Sequence, residues 1–195
     1  MAIRTILTQG DPALNKACHP VTRFDDKLAD LLDDLRETLT EANGVGLAAP
    51  QIGILRRAVI VVPDPESDEM IELVNPEILA QEGEQDGWEG CLSLPGMWGK
   101  VKRPNWVRVR AQDRYGNWFE TEGEDMAARC FCHELEHLEG HMYDEHADRL
   151  YTAEELDEIM SQEEKEENAK RRRRRRRTRS GGGEGEDENR LHGHP

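Results

Sequence analysis

The chain lacks any run of apolar residues long enough to cross a bilayer, which argues against a transmembrane helix. Its first residues, Met1-Ala2-Ile3-Arg4-Thr5-Ile6, hold no apolar core of the kind a signal or transit peptide needs, so a cytoplasmic bacterial protein is expected. None of the four cysteines, Cys18, Cys91, Cys130 and Cys132, stands in C-x-x-C spacing, which removes a zinc ribbon. Thiols with no evident pairing fit a reducing compartment. Apolar residues are also scarce: 36% of the 195 residues against 34% charged, below an ordinary globular chain. Much of that charge lies after Tyr151, so the length fits one domain and a tail.

Charge is unevenly spread. Residues 170–195 hold ten basic and four acidic side chains, including the run Arg171 to Arg177. Residues 1–169 therefore carry −21, against −15 for the whole chain. So acidic a body is not expected to bind nucleic acid directly.

The most informative feature present is His133-Glu134-Leu135-Glu136-His137, an H-E-x-x-H run. In a helix, positions i and i+4 lie about 40° apart around the axis, so both imidazoles can face one metal ion. Glu134, about 100° from His133, can reach a water on that metal. A helical wheel puts Met126, Ala127, Cys130, Phe131, Leu135 and Leu138 on the side of these three residues. It puts Ala128, Arg129, Cys132, Glu136 and Glu139 on the opposite, polar side. The alternative is a solvated charged face, but a carboxylate among apolar neighbours needs a reason to be there.

A catalytic site needs a third protein ligand and an open position. The motif extends to H-E-x-x-H-x-x-G, yet Tyr143 stands where a metzincin would place its third His. Gly140 is expected to end the helix, leaving His141 at the surface. Cys130 reads as a small buried hydrophobe, because ligands at i, i+3 and i+7 do not easily converge on a tetrahedral ion. Cys91 lies in Glu89-Gly90-Cys91-Leu92-Ser93-Leu94-Pro95-Gly96, where glycine and a Pro-Gly turn suit a placed thiolate.

Three blocks together resemble the peptide deformylase family: Gly44-Val45-Gly46-Leu47-Ala48-Ala49-Pro50-Gln51, then Glu89-Gly90-Cys91-Leu92-Ser93, then His133-Glu134-Leu135-Glu136-His137. They match G-x-G-x-A-A-x-Q, E-G-C-x-S and H-E-x-x-H, in the family's order. The resemblance covers roughly residues 1–150. It implies removal of the formyl group from formyl-methionyl nascent peptides, with release of formate. It implies Cys91, His133 and His137 as metal ligands and Glu134 as general base and acid. Gln51 and the Leu92 backbone N–H would stabilise the oxyanion, and the Gly46 carbonyl would hold the substrate backbone. The implied cofactor is one divalent ion, ferrous iron in the cell, with zinc or nickel as alternatives; one thiolate and two imidazoles also suit zinc. One stretch departs from the family: His141 to Ala147 is longer than usual before Asp148-Arg149-Leu150. Met97 and Trp98 are candidates for a methionine side-chain pocket or for general packing.

Leu28, Leu31, Leu32, Leu35 and Leu39 predict an amphipathic helix over 25–42. Strands are expected at Arg57 to Val62, at Met70 to Val74 (ended by Asn75-Pro76), at Trp106 to Ala111 and at Trp118 to Thr121. The metal-binding helix follows from about Asp125. The expected fold class is α+β: short antiparallel strands around a central metal-binding helix, with an N-terminal amphipathic helix and a C-terminal helix. The expected domains are a catalytic unit over 1–150, a charged helical extension over 151–179 opened by Thr152-Ala153-Glu154-Glu155, and a disordered tail over 180–195. The Arg171–Arg177 run would bind ribosomal RNA or remain a free arm, and a monomer is expected. Two rivals stand beside this: a zinc endopeptidase, and a structural metal site closed by Cys130 or His141.

Overall fold

The computed structural model describes residues 2–180. They fall into two units that divide between Ala153 and Glu154. The first is α+β and fully antiparallel in its named strands. Its larger sheet runs β1 (Gly46–Ala48), β2 (Ala58–Val61), β3 (Ile71–Glu82), β6 (Trp106–Gln112) and β7 (Trp118–Glu124), in the order β1-β2-β3-β6-β7. A smaller sheet joins β4 (Gln85–Cys91), β5 (Leu94–Arg103) and β8 (Leu150–Thr152).

Residue period two explains how the larger sheet takes a helix on each face. Along β2, Ala58 and Ile60 face helix α1 (Asp26–Ala42), while Val59 and Val61 face helix α2 (Asp125–Leu138). Helix α1 buries Leu28, Leu32, Leu35 and Leu39. Asp25 caps its start by accepting from the Leu28 N–H, and Asn43, at φ 53°, turns the chain out of it. Helix α2 packs Ala128, Phe131, Leu135 and Leu138 against Val61, Leu73, Val107, Val109 and Ala111. Gly140, at φ 82°, leads the chain away from its end.

Several expectations need correction. Strand β3 does not end at Asn75-Pro76 but continues to Glu82, because a register irregularity between Val74 and Glu77 absorbs the proline. Asn75 takes φ 50°, and its side chain donates to the Val21 carbonyl and to Gln112, so the bend is tied down. Strands β4 and β5 have no counterpart among the expected strands; the sequence around Cys91 suggests only glycine and a Pro-Gly turn about a placed thiolate. The polar side assigned to α2 is also wrong. Ala128, Arg129 and Cys132 are buried, whereas Met126 is 55% exposed. The helix is enclosed on nearly all sides beyond its first turn, and Arg129 tolerates burial because its charge meets Glu89.

The second unit, from Glu154, is helical throughout its described residues: helix α3 (Ala153–Ser180) begins directly after Thr152 with Glu154 and Glu155 in its first turn. Acidic residues precede the basic run along it, and Arg171 pairs with Glu167 one turn back at 2.8 Å. The side chains of Arg171 to Arg176 are exposed. The disordered tail expected over 180–195 lies outside the described residues, save Ser180 at the end of the helix.

Candidate metal centre and its cavity

Helix α2 presents His133 and His137 one turn apart, with ring centroids 5.1 Å from each other. Strand β4 brings Cys91 to them at its last position, just after an irregularity between Glu89 and Cys91. The Cys91 Sγ lies 3.4 Å from His137 Nε2, and the ligand atoms of all three residues fall within 4.8 Å of one another. A tetrahedral ion with metal–sulfur and metal–nitrogen bonds of about 2.3 and 2.1 Å separates S and N by roughly 3.5 Å. The trio therefore fits a single divalent ion with little movement. Among the described residues no other His, Cys or carboxylate group converges in this way. His141 is exposed and contacts Glu145, and the Cys130 thiol is directed to the Val45 carbonyl at 3.3 Å. Neither closes a fourth position.

Glu134 is buried beside the trio, and its Oε2 has no hydrogen-bond partner in the protein. Burial, reinforced by the nearby Glu89 charge and opposed by His133, pushes its carboxyl up to about 7. Gly46 makes room for it: a Cβ at that position would collide with the carboxylate. Gln51 is buried in a 3₁₀ turn that follows β1. Its Oε1 accepts from the Ala48 N–H at 2.8 Å, which fixes the amide so that Nε2 points to Ser93 Oγ at 3.1 Å and to the Cys91 sulfur at 3.6 Å. Leu92 occupies the turn after Cys91, in the wall of the same cavity.

That cavity has a volume of about 500 Å³ and is bounded by Gly46, Gln51, Cys91, Leu92, His133 and Glu134. Met97 and Trp98 line it as well, and Met126 sits at its edge. Trp98 also packs: its ring covers Gly90 so closely that a Cβ there would lie 2.8 Å from it.

Behind the trio stands a charged shell. Glu89 Oε2 is 2.9 Å from His133 Nδ1. The same carboxylate receives Arg103 through two nitrogens, at 2.7 and 3.0 Å, and Arg129 at 2.9 Å. Burial alone would raise the Glu89 carboxyl, but hydrogen bonds from His133 and Arg103 outweigh it and hold it at about 2. Burial likewise disfavours a charge on His133, yet hydrogen bonds to Cys91 and Glu89 raise its pKa well above the ordinary imidazole value. His137 is driven the other way, by burial and by the charge of His133. A ring held by a carboxylate on Nδ1 offers its other nitrogen to a cation, as a metal-ligating histidine does.

Sequence reasoning names Gly46, Gln51, Cys91, Leu92, His133 and Glu134, which the structure brings to one cavity, and His137, whose Nε2 lies 3.4 Å from the Cys91 sulfur. It assigns no role to Glu89, Arg103, Arg129, Ser93 or Tyr143. The one available signal was Glu89 itself, a charged residue next to a candidate ligand.

An antiparallel α+β unit that gathers a thiol, two imidazoles and a buried carboxyl at one cavity has the donor set of a metallohydrolase. Residues 3–153 match the family model described as polypeptide deformylase. A peptide deformylase of Agathobacter rectalis is 52% identical over 143 residues, covering 73% of this chain and 89% of that protein. One from Caldicellulosiruptor bescii is 47% identical over 165 residues, covering 85% and 98%. The crystal structure of a peptide deformylase from Legionella pneumophila superposes with a TM-score of 0.73 at 38% identity, over 89% of this chain and 99% of that one. The chain belongs to the polypeptide deformylase family.

Proposed function

We propose that this protein hydrolyses the formyl amide bond of the N-terminal formyl-methionine of newly made polypeptides and releases formate. The observation that carries this is the convergence of Cys91, His133 and His137 next to the buried, unpartnered Glu134, in a chain of the deformylase family. Cys91, His133 and His137 would hold a divalent metal, which would supply Lewis-acid activation of the attacking water. The remaining work falls to the protein. Glu134 accepts the proton of that water and returns it to the departing amine, for which its position at the cavity wall is suited. The Gln51 Nε2 amide and the Leu92 N–H donate to the oxygen that gains charge during attack. Gln51 is pre-aimed by its bond to Ala48, so little reorganisation is required. The Gly46 carbonyl accepts a hydrogen bond from the substrate backbone, on edge strand β1. Met97 and Trp98 offer an apolar wall for the methionine side chain.

Ferrous iron is the metal we assign in the cell, with zinc or nickel able to substitute. The catalytic unit ends near residue 150, and the protein acts as a cytoplasmic monomer. No helix among the described residues is long and apolar enough to cross a membrane. Seven consecutive arginines beyond an acidic body support docking of Arg171–Arg177 on ribosomal RNA. Co-sedimentation of the full chain and a 1–169 truncation with ribosomes, at low and high salt, tests this; equal pelleting of both forms refutes it.

The central test is formate release from a formyl-Met peptide by protein loaded with Fe²⁺ or Zn²⁺. Glu134→Ala should bind metal normally and lose about 10²–10⁴-fold in rate. Absence of formate from the metal-loaded wild type defeats the assignment.

A further inference from the structure

We infer that the segment His141–Ala147 is a clasp that fixes the orientation of the His133 imidazole, with Tyr143 and His146 as its two positioning residues. The inference rests on the metal-site assignment above and goes beyond it, because neither residue belongs to the ligand set or to the cavity wall.

The first arm is direct. The Tyr143 ring lies over the His133 ring, with centroids 5.7 Å apart and planes within 25°. Tyr143 is 1% exposed, and its hydroxyl donates to the Met97 carbonyl on β5 at 3.0 Å. The ring is thus held at both ends: its face against the imidazole, its hydroxyl on a strand of the smaller sheet. The seat for this segment is Gly99. A Cβ there would lie 2.7 Å from the Ala147 Cβ and 3.2 Å from the Tyr143 ring, so the segment sits directly on the β5 backbone.

The second arm is a relay of polar side chains. His146 Nε2 is 3.0 Å from Glu136 Oε1. The same Glu136 oxygen is 2.6 Å from Arg103 Nη1. Arg103 grips both oxygens of Glu89, and Glu89 Oε2 meets His133 Nδ1. One short 3₁₀ turn, Tyr143–His146, therefore reaches the same imidazole from its face and from its Nδ1 edge. A histidine restrained in both ways keeps its ring plane, and so keeps its free nitrogen on the line toward Cys91 and His137. Outer-shell partners of metal-ligating histidines affect metal affinity by about 10–100-fold.

The experiment uses the full chain, stripped of metal and titrated with Co²⁺, followed by thiolate charge-transfer and d–d absorption. Zn²⁺ affinity is read by competition with a chromophoric chelator. Tyr143→Leu should weaken Zn²⁺ by about tenfold or more and shift the Co²⁺ spectrum. Tyr143→Phe keeps the stacked ring and should stay within about twofold of wild type. His146→Ala, acting from further away, should weaken Zn²⁺ by less than about tenfold with a spectral shift in the same direction. Leu32→Ala, in the core against α1, is the control for general destabilisation: its melting temperature falls while affinity and spectrum stay. Wild-type affinity and spectrum in Tyr143→Leu or in His146→Ala overturn the clasp. Should Tyr143→Leu not fold, His146→Ala decides alone by the same criterion. A wild-type chain that binds no Co²⁺ or Zn²⁺ would instead defeat the metal site itself, a different and earlier failure.

Discussion

Helix α2 lies between two unlike partners. Toward the five-stranded sheet it turns Ala128, Phe131, Leu135 and Leu138 into an apolar contact with Val61, Val107 and Val109. Toward the smaller sheet it turns Arg129, His133 and His137, and there it meets Glu89, Cys91 and Arg103. Both interfaces are buried, but different physics holds them. The first is non-directional burial, at about 25 cal/mol per Å² of apolar area. The second is a set of directed hydrogen bonds between charges, tolerable in the interior only because each charge is paired. The apolar interface sets where the helix is; the charged one sets how its side chains point. Catalysis depends on the second and stability chiefly on the first, so variants at the two interfaces should fail in different ways.

After Glu134→Ala, Gln51→Ala gives the largest expected effect. It removes the donor proposed for the oxyanion, and formate release should fall by about 10²–10³ in kcat. Metal content and thermal unfolding should stay near wild type. A similar loss of metal would show that Gln51 serves the cluster through Cys91 and not the oxyanion.

Phe131→Ala attacks the apolar side of the same helix. It should lower unfolding free energy by about 3–5 kcal/mol in urea titration, while the folded fraction keeps its metal affinity. Loss of metal affinity in the folded state would erase the division between the two interfaces.

Glu72→Gln tests a charged cluster remote from the cavity and has the smallest expected effect. Glu72 accepts from Arg36 and Arg114. Burial opposes the charge, but those hydrogen bonds and charges hold its carboxyl below the ordinary range. A depressed native pKa contributes stability above the unfolded value of about 4.3, and that contribution is lost as pH falls through the native pKa. Urea unfolding of wild type should therefore weaken on acidification below that value, and Glu72→Gln should weaken less steeply. Parallel acid limbs in the two proteins would show that Glu72 does not contribute.

Much of the site could be read from the chain because its signals are local. His133, Glu134 and His137 occupy one turn of helix, and the spacing alone puts both imidazoles on one side. Cys91 and Gln51 are marked by short blocks whose glycines and prolines have visible backbone reasons. The shell behind them was not legible. Glu89 lies 14 residues from Arg103, 40 from Arg129 and 44 from His133. No periodicity joins such positions. Strands β4 and β5 escape notice for a related reason: their buried residues include Glu89 and Arg103, so the apolar alternation that reveals a half-buried strand is missing. The polar face drawn for α2 fails in the same way, since a wheel counts charges without knowing their partners.

The sequence by itself determined the donor types, the helix that carries two of them and the family to which the chain belongs, because each is written in contiguous residues. Only the tertiary structure decided that Arg103 and Arg129 neutralise Glu89, that Glu89 orients His133, and that Tyr143 covers the ring. Charges can be buried together only when chain folding brings distant partners within hydrogen-bond reach, and that proximity has no signature along the chain.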